Sequence, residues 1–182
     1  GLEKARVGTQ LSLIHLLGNE FEETIRVLDE TSFNNLPSKL VDQRRHLRSR
    51  SLMGQGRIDD ALALLEEDKS LDADLLRLEM YWNDQDWVPA SKTLNRILRA
   101  YETKPNKPLN ELQAQTILNM GVALTLSGNE RGIDRLNRNY GSAMDETRFG
   151  DAFRLIASPN TLGLISYPSI AGKVKDVENF QT

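Results

Sequence analysis

Apolar residues recur three and four positions apart along most of the chain, in blocks separated by short polar or glycine-bearing breaks. Residues 2–17 carry Leu2, Ala5, Leu11, Ile14 and Leu17, and Gly18 with Asn19 interrupts them. Phe21, Ile25, Val27 and Leu28 form a second stripe that ends near Thr31. Ser32 to Ser38 (SFNNLPS) reads as a loop with Pro37 as its stop signal. The spacing predicts further helices over 40–53, 57–69, 71–82 and 87–101. Pro89 fits the last of these because it lies in the first turn, where a missing N–H costs nothing. Thr103 to Pro108 is a linker, and Asn110 with Gln113 resembles a capping box that opens a seventh helix running to Leu126. An eighth is expected to end near Tyr140. Beyond Gly141 the rhythm changes: Glu146 to Ala157 reads as helix, 158–167 as loop and 168–180 as a last, weaker helix. No segment alternates like a strand, so the expected fold is all-α.

The breaks repeat. The stretch Met53–Leu65 (MGQGRIDDALALL) ends one helix at Gly54, Gln55 and Gly56 and starts another on Ile58, Ala61, Leu62 and Leu65. Gly18, Gly56, Gln85 and Gly128 occupy the same place, 38, 29 and 43 residues apart. Five or six residues after each stands Thr24, Ala61, Ala90 or Ile133, and four later Leu28, Leu65 or Leu94, with Asn137 as the exception. Met120, Gly121 and Leu124 come near a Leu-Gly-aromatic pattern in the first helix of a pair.

This pattern resembles the tetratricopeptide repeat, a helix–turn–helix unit; solenoids built from other helical pairs remain an alternative. The resemblance implies a right-handed superhelix of about four antiparallel helix pairs over 1–143. Residues 144–182 would then form C-terminal capping helices packed on the array, in one continuous domain. Such units share a core only when stacked, and an array needs a polar cover at each end.

The resemblance also implies a function: a non-catalytic scaffold that binds a peptide or helical segment of another protein in a concave groove. The groove positions it implies are Ser12 and His15, then Gln43, His46, Arg50 and Met53. They continue with Asp72, Leu75, Glu79, Trp82 and Asn83, then Gln115, Leu118, Asn119 and Val122. The Lys/Asn clamp by which some members hold a C-terminal carboxylate is absent, since its positions carry Gly8, Ser12, Gln43 and Leu47. The alternative function is a helical accessory or spacer domain of a larger envelope-associated or enzymatic protein.

Composition narrows the chemistry. The chain has no Cys, a formal net charge of −3 and 6% aromatic residues, so neither thiolate chemistry nor a nucleic-acid partner is expected. No apolar run approaches the roughly 20 residues of a membrane-spanning helix, so no membrane insertion is expected. Arg44, Arg45, Arg48 and Arg50, with His46 among them, form the densest basic run. It reads as a solvated helix face partly paired with the acidic stretch Asp59–Asp74, or as a receiver of an acidic partner. Trp87 and Tyr81 read as core, and Trp82 as core or interface anchor.

His15 and His46 have no nearby ligand or acid–base partner in the sequence, so no catalytic residue, metal site or cofactor is expected. Gly54-Gln55-Gly56 follows no strand and reads as a helix stop. The compartment stays open between cytoplasm and a periplasm or envelope. The helical pattern begins almost at Gly1, which reads as a segment of a longer chain. It also suggests an apolar N-terminal face through which copies self-associate.

Overall fold

The computed structural model describes residues 1–158, and the loop and weak helix expected over 159–180 lie outside them. Among the described residues every regular element is a helix and none is a strand. In chain order these are α1 (Leu2–Leu17), α2 (Phe21–Glu30), α3 (Ser38–Gly54), α4 (Ile58–Leu65), α5 (Leu71–Asn83), α6 (Trp87–Ala100), α7 (Glu111–Leu126), α8 (Glu130–Asp145) and α9 (Gly150–Ala157). Three boundaries differ from the sequence pattern. α4 stops at Leu65, and α9 starts only at Gly150. α8 runs straight through Gly141 to Asp145, because the buried Met144 gives its last turn an apolar anchor.

Four turns share one backbone geometry. Asn19, Gly56, Gln85 and Gly128 are all left-handed, with φ of 59°, 75°, 58° and 69°. The residue after each caps the next helix in a common conformation: Glu20 (−88°, 68°), Arg57 (−90°, 65°), Asp86 (−87°, 79°) and Asn129 (−88°, 75°). Each of these amides donates back five residues, to His15, Leu52, Tyr81 and Leu124, at 2.8–2.9 Å. A left-handed residue that closes a helix this way satisfies carbonyls the helix leaves open. Glycine and Asn take that conformation readily, so Gly56 and Gly128 sit where they are needed.

These turns fix the register of the pairs. The equivalent residue in the first is Asn19, not Gly18, and the offsets then become uniform. Five residues on come Thr24, Ala61, Ala90 and Ile133; nine on come Leu28, Leu65 and Leu94, all buried, and the exposed Asn137. Seven residues before the first two turns stand Ser12 and Ser49, both fully buried. The Ser49 hydroxyl donates to the Ala61 carbonyl at 3.0 Å. That of Ser12 donates to Gly8 O at 2.8 Å and lies 3.4 Å from Thr24 O. Small residues with a satisfied hydroxyl let α1 approach α2, and α3 approach α4, closely.

The chain divides into two units, Gly1–Met80 and the remainder from Tyr81. The first holds α1–α4 and most of α5. Its apolar cluster is Leu52, Ala61, Leu65, Ala73, Leu76 and Met80. Buried arginines complete it. Arg44 is not the solvated residue expected of a basic run. Its guanidinium donates to Ala5 O (3.0 Å), to the Thr9 hydroxyl (2.9 Å) and to the Leu28 carbonyl at the end of α2. Arg77 does the same for α4, donating to the carbonyls of Leu65 and Asp68 while Asp74 accepts from it at 2.9 Å. Thus the ends of α2 and α4 are both capped by an arginine from the next helix. Arg45 and Arg48 are ion-paired, with Asp42 and Asp68 and with Asp29.

The second unit has a larger cluster built from α6–α9. It includes Leu98, Ile117, Leu118, Met144, Phe149, Phe153 and Ile156. Trp82 packs against it and meets Trp87 edge-on, with ring centroids 5.1 Å apart. The Asn110–Gln113 capping box is present in full. The Gln113 amide also donates to Tyr101 O at 2.9 Å, at the end of α6.

Candidate functional site: a groove between α1 and α3

α1 and α3 lie side by side as the first helices of two successive pairs, and a groove of about 460 Å³ runs between them. From α1 it takes Arg6, Thr9, Gln10, Leu13 and Leu16; from α3, Leu40, Gln43, His46, Leu47 and Arg50. The internal register explains the choice. The two left-handed turn residues, Asn19 and Gly56, are 37 positions apart. Shifted back by 37, Gln43, His46, Arg50 and Met53 become Arg6, Thr9, Leu13 and Leu16. The groove is therefore one repeated helix face, presented twice.

Sequence reasoning reached three of the lining residues: Gln43, His46 and Arg50. It missed those of α1, placing Ser12 and His15 there instead. Aligning on Gly18 rather than Asn19 slips the register by one residue, and one residue rotates the chosen face by about 100°. Ser12 is fully buried against α2, and His15 sits on the flank of α1 bonded to Glu20. The signal that would have found the right face is Asn19, a residue type that enters the left-handed region more readily than most residues other than glycine.

The other expected positions scatter. Met53 is half-buried against the cluster of the first unit. Asp72, Leu75 and Glu79 lie exposed on one face of α5, and Glu79 accepts from Arg50 at 3.2 Å. Trp82 is engaged with Trp87, and Asn83 is exposed at the end of α5. Gln115 and Asn119 are half-buried on α7. Leu118 and Val122 are core residues, unavailable to a ligand, because that side of α7 faces the second unit's cluster.

The groove has an apolar floor and a polar rim. Leu13, Leu16, Leu40 and Leu47 supply aliphatic surface; Gln10 and Gln43 supply amides suited to a peptide backbone. Its charged lining is cationic, Arg6 and Arg50, with the His46 imidazole between the two and no carboxylate among the lining residues. His46 is oriented from outside the groove. Its Nε2 bonds Asp68 Oδ2 at 2.7 Å, and Arg45 reaches the same oxygen at 3.2 Å. Burial pushes the Asp68 carboxyl up, but hydrogen bonds from Ser70 and His46 outweigh it and hold the group well below its ordinary value. His46 is thereby fixed in one rotamer, with Nδ1 free among the described residues.

The Thr9 hydroxyl donates to Ala5 O at 2.7 Å and accepts from Arg44, so no base activates it as a nucleophile. Among the described residues no group of three or more His, Asp or Glu could hold a metal ion. Among them, too, no helix is long and apolar enough to cross a membrane. Comparison with family models, curated proteins and solved structures finds no match to the chain.

Proposed function

We propose that this chain is a non-catalytic interaction scaffold of the tetratricopeptide-like kind, a right-handed stack of helix pairs. In this reading the α1/α3 groove holds an extended or helical segment of another protein. The observation that carries it is the groove itself: the same face of two successive first helices, lined by aliphatic, amide and cationic side chains. A peptide offers alternate side chains and a backbone, and this lining supplies aliphatic floor for the first and amides for the second. The four turns of one geometry support the repeat. So does the spacing of twelve residues from Ser12 to Thr24 and from Ser49 to Ala61, which sets where each pair crosses.

The test is a peptide-display selection on the whole chain, repeated on a Leu13→Glu, Arg50→Glu double variant with unchanged helicity by circular dichroism. Peptides that enrich on the native chain and lose at least about tenfold in affinity on the variant support the reading. Peptides held equally by both would move the binding face elsewhere. An empty selection would favour a spacer role for the array.

A further inference from the structure

Two arginines stand on opposite walls of the α1/α3 groove, Arg6 on α1 and Arg50 on α3. The chain as a whole is acidic, with a formal net charge of −3, yet no carboxylate lines this groove. Neither arginine has a strong partner of its own. Arg6 is 4.0 Å from Glu3 and Arg50 is 3.2 Å from Glu79, and both pairs are open to solvent. Exposed pairs of this kind are held weakly, so a ligand carboxylate can take the place of either glutamate.

The internal register sets how far apart the two arginines lie. The chain reverses between α1 and α2 and again between α2 and α3, so α1 and α3 run the same way. Arg44 stands 37 positions after Val7. It donates to Ala5 O and to the Thr9 hydroxyl, two residues either side of Val7. Residues 37 apart therefore lie level, Gln43 beside Arg6 and Arg50 beside Leu13. Arg50 is seven residues beyond Gln43, which is about 10 Å along the helix axis.

We infer, building on the scaffold function proposed above, that the groove takes an extended segment with two acidic residues three positions apart, one carboxylate on each arginine. An extended chain advances about 3.3 Å per residue and turns successive side chains to opposite sides. Three residues thus cover about 10 Å and leave the first and fourth side chains on opposite sides, where Arg6 and Arg50 stand. A helical ligand does not match this pair. It needs about seven residues to cover the same length, and nearly two full turns bring both side chains back to one face. The two middle side chains of the extended segment meet Leu13 on one wall and Leu47 on the other, so they are aliphatic. Planar guanidinium groups suit carboxylates, which they bind through two parallel N–H bonds. Glu79 competes with the ligand for Arg50.

The test is fluorescence anisotropy of the whole chain with pools of end-blocked peptides, so that no terminal carboxylate takes part. Each pool fixes two Glu two, three, four or seven positions apart and randomises the rest among Leu, Val, Ala, Ser and Asn. Matched pools carry Gln or Lys at the fixed positions. The three-apart Glu pool should bind best, at least about fivefold tighter than its Gln match, and should lose that margin in about 1 M salt. Its Lys match should be the weakest, and Glu79→Gln should tighten the Glu pool about twofold. Arg6→Glu should move the preference to Lys at one fixed position, and Arg50→Glu to Lys at the other, with helicity unchanged in both.

Equal binding of the Glu and Gln pools would overturn the inference. So would a better spacing of two, four or seven, or both arginine variants selecting Lys at the same position. If the equal binding is lost on Leu13→Gln, the groove holds a neutral segment and the scaffold function stands without its acidic ligand. Binding by none of the pools would overturn both.

Discussion

The two units solve the same packing problem with different chemistry. The first, Gly1–Met80, has a small apolar cluster and seals its helix ends with buried Arg44 and Arg77. The second packs Phe149, Phe153, Ile156 and Met144 with leucines of α6–α8, and closes the end of α6 with the neutral amide of Gln113. Buried guanidinium groups demand good geometry and satisfied partners, whereas an apolar core depends chiefly on how well its side chains fill the volume. The polar unit is also the one that carries the groove. A face lined by Thr9 and His46 is held in place by hydrogen bonds to Arg44 and Asp68. Position there comes from directed bonds, while in the second unit it comes from volume.

The sharpest break between the two is made by truncating each one's own support. Phe153→Ala should destabilise the second unit by about 3–5 kcal/mol, the cost of an unfilled core cavity. Hydrogen exchange read residue by residue should show lost protection in α7–α9. Loss confined to α9 would mean that Phe153 serves only its own helix. Arg44→Met keeps much of the volume but removes the donors to Ala5 O, Leu28 O and Thr9. It should cost about 2 kcal/mol, the penalty of buried acceptors left open. Burial, with Arg48 close by, already draws the Arg44 pKa below its usual value, so part of the charge's cost is relieved on removal. A neutral Arg44→Met would show that the first unit does not depend on its buried cation.

The helices were legible because each carries its own period and stop. The buried cations were less so, though a clue was present. Leu40, Arg44, Leu47 and Ser51 follow a helical stripe, so Arg44 occupies a position that the pattern reserves for the core. Read by type, Arg belongs to the surface; read by place, it belongs inside. The groove face of α3 was visible because Gly56 marks its turn, and that of α1 was hidden because the stronger-looking signal, Gly18, stands one residue early. A one-residue error moves a helix boundary trivially but turns a face by more than a quarter of a circle.

Acid should also separate the units. The folded pKa of Asp68 is depressed below its ordinary 3.8. A depressed carboxylate contributes stability that is present above the unfolded value and lost as pH falls below it. The denaturation midpoint of the first unit should therefore hold down to about pH 4 and fall below it. Asp68→Asn should begin lower and stay flatter across that window. An equal acid loss in the variant would assign the effect to other carboxylates.

The smallest test uses two glycines buried in first helices. A Cβ at Gly8 in α1 would stand 2.1 Å from the Thr31 hydroxyl and 2.5 Å from its Cβ, so something must shift. Thr31 is also tied down, donating to Val27 O at 2.6 Å and lying within reach of Arg44. At Gly121 in α7 the nearest atoms, on Ile156, Leu136 and Phe153, are 3.6–3.8 Å away, ordinary contact distance. Alanine is favoured over glycine in a helix by about 1 kcal/mol. Gly121→Ala should keep that gain and raise the thermal midpoint by a few degrees. Gly8→Ala should lose it to the clash and lower the midpoint, because Thr31 cannot give way without disturbing the Arg44 network. If both substitutions stabilise, the polar unit is no more rigid at α1 than the apolar one is at α7, and directed bonds do not hold the groove's first wall.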